Sequence, residues 1–130
     1  MMNPRIKKLW VAALRSGNYK QGIGALRTEN DEFCCLGVLC DLAEAEGIGA
    51  WEYTPLEIVA EDIDANAWTF VTETTDNPGI LPSEVMQWAG VESGNPVVVD
   101  STTLVKTSLS GINDSGGTFD QIADAIEGSL

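Results

Sequence analysis

Two cysteines stand side by side at Cys34 and Cys35, with a third at Cys40. They follow a polar turn, Thr28-Glu-Asn-Asp-Glu32, and open an apolar run that reaches Ala43. If that run is a helix, the first thiols lie at its positive end, where the dipole favours thiolate and therefore nucleophilic chemistry. Asn113 and Asp114, in a late Asn-Asp-Ser-Gly stretch, are candidates to orient or deprotonate them. A cysteine-dependent hydrolase would thus use Cys34 or Cys35 with Asp114. The competing reading is core packing, because free cysteine behaves as a small hydrophobe and is among the most buried residue types; packing is the preferred one. Histidine is absent, which removes Ser-His-Asp and Cys-His catalysis in their usual forms, together with the commonest zinc ligand. The cysteines lack a CxxC pair and the aspartates lack calcium-loop spacing, so no metal is expected. With no Walker loop and no GxGxxG, no cofactor is expected either.

The second chemical feature is charge segregation. Residues 1–28 hold Arg5, Lys7, Lys8, Arg15, Lys20 and Arg27 and no acid, whereas the rest holds twenty acids and one base, Lys106. The front therefore carries +6 and the remainder −19, which together give the net −13. Around Tyr19-Lys-Gln-Gly22, glycine-opened backbone N–H groups, the Gln21 amide and the cations Arg15, Lys20 and Arg27 could cradle a phosphate-bearing ligand. The helix N-terminus before Cys35 could add donors, and Tyr19 or Trp10 an aromatic face. Asn113 and Asp114 complete the expected ligand-binding set. The plainer alternative is an ordinary hairpin with solvated cations. Direct nucleic-acid binding is excluded, because most of the surface would repel a phosphate backbone.

These groups must be held by elements that the chain itself suggests. At 130 residues, 44% hydrophobic, with mean hydropathy +0.00, it suits one domain over 1–130 with one core. No run approaches a membrane span. The N-terminal segment reads as a structural helix and not a signal peptide, because Arg15 interrupts its apolar spacing. Asn3-Pro4 caps and opens that helix; Ile6, Leu9, Trp10, Ala13 and Leu14 form its buried stripe, and Gly17 stops it. The run at 34–45 is apolar nearly all round and predicts a central buried helix, in which Gly37 marks a close approach by another element. Trp68–Thr72 alternates like a strand, residues 57–64 read as an acidic exposed loop or a short helical turn, and Asp76-Asn-Pro-Gly79 is turn chemistry. Leu81–Trp88 predicts a short helix. Val97–Val99 predicts a buried strand, with a second at 102–108 pairing with it or with Trp68–Thr72. Thr118 and Gln121 form a capping box for a last helix with Ile122, Ala125 and Ile126 inward; Ile112–Gly117 before it reads as a tight polar loop. The fold expected is α+β, three to four helices on a small, mostly antiparallel sheet. Three clustered, odd-numbered cysteines suit a reducing cytoplasm.

Taken in order, the stretches Lys8-Leu-Trp-Val-Ala-Ala-Leu-Arg-Ser-Gly17, Tyr19-Lys-Gln-Gly22, Phe33-Cys-Cys-Leu-Gly-Val-Leu-Cys-Asp-Leu42, Leu81-Pro-Ser-Glu-Val-Met-Gln-Trp-Ala-Gly90 and Ile112-Asn-Asp-Ser-Gly-Gly-Thr-Phe119 resemble a group of small bacteriophage and prophage proteins. These are similar to a domain-of-unknown-function family with a Cys-x-Leu-Gly helix and a late Asn-Asp loop. The resemblance covers most of the chain outside residues 48–80. It implies a phage accessory product in the cytoplasm of an infected bacterium and supplies no mechanism. Proteins of this kind suggest counter-defence. The leading expectation is a non-enzymatic binding protein that sequesters a small anionic, nucleotide-derived signal. The alternatives are an acidic inhibitor that docks on a host defence protein as a nucleic-acid mimic, and the cysteine hydrolase. Homo-oligomerisation stays open.

Overall fold

The computed structural model describes residues 2–23, 25–53, 68–72 and 80–130. The architecture is α+β: five helices and three separate two-stranded pairs among the described residues. The expected acidic loop or helical turn at 57–64 and the turn at 76–79 lie outside those residues.

Helix α1 (Pro4–Arg15) starts where Asn3 Oδ1 accepts from the backbone N–H of Arg5 and Ile6, at 2.9 and 3.4 Å. It ends as the chain turns left-handed at Gly17, φ +77°. Its buried face is Ile6, Trp10, Val11 and Leu14. Leu9, expected inside, is 39% exposed, and Val11 takes its place. Strands β1 (Lys20–Gln21) and β2 (Glu32–Phe33) pair in parallel. They deliver the chain to α2 (Cys35–Ala45), the central helix the sequence predicts, in which Cys35 to Cys40 and Ala43 are all buried. At Gly37 any Cβ would collide with the backbone of Leu26. That collision explains a glycine inside a helix and fixes how closely the 25–27 segment crosses it.

Strands β3 (Ala50–Tyr53) and β4 (Trp68–Val71) form an antiparallel pair with Trp51 opposite Phe70. Helix α3 (Ser83–Ala89) then packs on α2. Strands β5 (Val97–Val99) and β6 (Lys106–Ser108) form a second antiparallel pair. The expected single sheet is thus three short pairs, one of them parallel. The expected buried strand at Val97–Val99 is half outside: Val98 is buried, while Val97 and Val99 face out. The stretch read as a polar loop is in part helix α4 (Leu109–Asp114), capped by Ser108 Oγ on Gly111 N–H at 3.2 Å. Helix α5 (Phe119–Ser129) opens on the predicted capping box: Gln121 N–H donates to Thr118 Oγ1 at 3.2 Å, and Thr118 N–H to Gln121 Oε1 at 2.9 Å. It packs along α1 and α4.

Candidate functional site

The residues singled out for chemistry fall into three places. Gln21, Asn113, Asp114, Cys34 and Cys35 meet where β1, α2 and α4 join. Lys20, Tyr19 and Arg27 lie around β1 and β2, and Arg15 stands apart on the α1–α5 seam.

At the junction, Asn113 is 1% exposed and its side-chain amide is fully engaged. Oδ1 accepts from Gln21 Nε2 at 3.0 Å and from the Cys35 N–H at 3.3 Å. Nδ2 donates to the Gly22 carbonyl at 2.8 Å and to Asp114 Oδ1 at 3.2 Å. Gln21 Nε2 also donates to the Gly117 carbonyl at 2.7 Å. An amide offers two donors and two acceptor sites, so this one clamps β1, the start of α2 and the end of α4 together. Buried polar groups arranged so are structural. Gln21 and Asn113, expected to meet a ligand, are instead bonded inward.

The start of α2 is occupied as well. Cys35 N–H goes to Asn113 and Gly37 N–H to the Cys34 sulfur, at 3.4 Å. The donors proposed for an anion are therefore in use. Cys34, Cys35 and Cys40 are all buried and unpaired. Burial pushes the Cys34 thiol up to about 11, and the nearby Asp114 carboxylate pushes in the same direction. Cys35 and Cys40 are likewise raised well above the ordinary thiol value, first of all by burial. The helix dipole was expected to favour thiolate; desolvation outweighs it. Cys35 donates its proton to the Leu109 carbonyl, with sulfur and oxygen 3.6 Å apart.

The cations are engaged too. Arg27 pairs with Asp31 through Nε at 2.9 Å and Nη2 at 2.7 Å, and its guanidinium lies over Trp68 at 3.7 Å, with Phe33 and Trp51 beyond. Lys20 pairs with Glu32 at 3.2 Å, directly across the β1–β2 register. Arg15 reaches Asp124 at 2.6 Å and Glu127 at 3.3 Å on α5. Arg5 makes a fork on Glu46, and this hydrogen bonding holds the Glu46 carboxyl below its usual range. Tyr19 donates to Asp41 at 2.6 Å, and Trp51 Nε1 donates to the other carboxylate oxygen at 3.1 Å. Burial, then that bond, raise the Tyr19 hydroxyl above its ordinary value. Trp10 is fully buried, with Nε1 donating to the Cys35 carbonyl at 2.9 Å; it offers no face to a ligand.

One basic surface remains, an open groove of about 550 Å³ between α1 and α5, lined by Lys7, Lys8, Val11, Arg15 and Glu127 among others. Lys7 Nζ donates to the Glu127 carbonyl at 3.1 Å. Lys8 is exposed and makes no ion pair among the described residues. Sequence reasoning passed over this groove because Lys7 and Lys8 become neighbours of Glu127 only through the α1–α5 packing.

A family model described as a domain of unknown function, DUF8296, matches residues 2–130. The chain belongs to that family. No curated protein and no solved structure matches it. The DUF8296 match takes in the Asn113 clamp, the α2 thiols and the α1–α5 groove alike. Among the described residues of this DUF8296 chain, no helix is long and apolar enough to cross a membrane, and no group of three or more His, Cys, Asp or Glu converges as a metal site would require.

Proposed function

We propose that this is a non-enzymatic binding protein of bacteriophage origin, acting in the cytoplasm of the infected bacterium. In this reading its acidic outer surface docks on the basic, nucleic-acid-holding groove of a host defence protein. The observation that carries it is the distribution of partners among charges. All three arginines and Lys20 are tied to the chain's own acids, while among the described residues Glu29, Glu52, Glu92 and Asp120 are exposed and make no ion pair. What a partner meets is thus strongly negative, and such a field steers association with a positive surface. The raised thiols support the non-catalytic part, since a protonated, buried cysteine is a poor nucleophile. The test is capture from a bacterial lysate followed by challenge with duplex DNA. The reading expects a basic protein that DNA displaces and that high salt releases; capture indifferent to both would overturn it.

The α1–α5 groove favours a second reading, sequestration of a small nucleotide-derived anion by Lys7, Lys8 and Arg15. Saturable calorimetric heat with a cyclic dinucleotide or an ADP-ribose derivative, abolished by Lys8→Glu, would carry it. Silence across such a panel would remove it.

A further inference from the structure

The β5–β6 hairpin departs from the rest of the surface in three ways. It is apolar on the outside: Val97, Val99, Leu104 and Val105 are four of the eight large hydrophobic residues exposed among the described residues, and Leu104 is 78% exposed. It is strained at that same residue, which adopts φ +61°, a left-handed conformation that disfavours a branched side chain. The left-handed turn closes the hairpin, with Leu104 N–H donating to the Asp100 carbonyl at 2.8 Å and Asp100 N–H to the Val105 carbonyl at 3.0 Å, but nothing in the turn calls for a leucine side chain, which is left in solvent. It is also locally neutral. Between Glu92 and Asp114 the only charged residues are Asp100 and Lys106, so residues 93–113 carry no net charge in a chain of net −13.

We propose that the outer face of this hairpin is the contact between two copies of the chain. Exposed apolar patches mark interaction sites, and local charge decides which partner fits. Two acidic molecules repel over most of their surfaces, and a segment without net charge removes part of that repulsion. Cross-strand partners share a face, so Lys106, opposite Val99, and Ser108, opposite Val97, lie beside the two valines. Lys106 makes no ion pair among the described residues. Asp100 closes the hairpin, its Oδ1 accepting from the Thr102 and Thr103 N–H groups at 2.8 and 3.4 Å. In the proposed two-fold contact, Asp100 of the other copy is the one acid of residues 93–113 that Lys106 has to pair with, the self-complementarity that an isologous contact requires. This contact differs in chemistry from the acidic docking surface, and its salt dependence has the opposite sign. Salt screens repulsion between copies and leaves apolar contact intact, whereas it weakens acid-to-base docking.

Sedimentation velocity on the full chain tests it, over a concentration series at low and at high sodium chloride. The expected result is a mass rising with concentration from 13.9 kDa toward twice that value, at lower concentration when salt is high. Leu104→Gly and Val99→Thr should each weaken association at least about tenfold. Leu104→Gly should also leave thermal stability undiminished, which separates loss of contact from loss of fold. A single 13.9 kDa species in every condition overturns the proposal, as does association that both variants retain or that salt weakens.

Discussion

The Asn113 clamp and the β5–β6 hairpin use polar and apolar groups in opposite ways. In the clamp, the Asn113 amide is buried and both its oxygen and its nitrogen have partners within the chain. In the hairpin, apolar side chains are exposed and one of them is held in a disfavoured backbone conformation. The first arrangement serves folding, since a satisfied amide in a low dielectric fixes three elements relative to one another. In the second, the backbone of Leu104 closes the turn, while the apolar side chains around it are left uncovered. Residue types that suggest a binding site are thus structural here, and residues that suggest a core are the ones left outside.

Substitutions sharpen the contrast. Asn113→Ala strips partners from the Cys35 N–H, the Gly22 carbonyl and Gln21 at once, so it should lower unfolding free energy by about 4 kcal/mol, read by urea denaturation. Survival of the variant with wild-type stability would break the structural account of the clamp. The thiols beside the clamp give a pH signature. Cys34 titrates near 11 in the folded protein and near about 8.5 when unfolded, so the unfolded chain loses its proton first. The stability this contributes is complete below the unfolded value and is lost as pH rises through the folded one, about 2 kcal/mol or more from this group alone. Iodoacetamide should accordingly label the native protein slowly near neutral pH, at the rate of opening. Fast labelling would restore the nucleophile. Gln21→Ala, which removes the bonds to Asn113 and Gly117, should cost about 1.5 kcal/mol and leave partner capture intact. Leu104→Gly should have the smallest effect and the opposite sign, a gain of about 1 kcal/mol from relieved strain, read as a higher Tm.

What could be read in advance follows the range of the interactions involved. Helices α1 and α5 were legible because their caps are local: Asn3 acts on residues two and three further on, and Thr118 and Gln121 on each other. The burial of α2 was legible because its apolar residues run all round. The partners of the cations were not, since Arg5 meets Glu46 and Arg15 meets Asp124 across long stretches of chain. Helix α4 escaped because six residues with an internal glycine show no amphipathic period. The hairpin misled because a run of valines carries no alternation to say which face is inside; only pairing with β6 and packing on α5 turn Val97 and Val99 outward.

That the front of the chain serves the fold while the outer acids meet the partner can be tested by reversing charges of the two kinds separately. Lysate capture would be compared for a triple variant, Glu29→Lys, Glu92→Lys and Asp120→Lys, and for Lys20→Ala with Arg27→Ala. The account predicts that the triple variant loses the partner at low salt and that the front variant keeps it. Capture that survives charge reversal and disappears with the front cations would contradict the account.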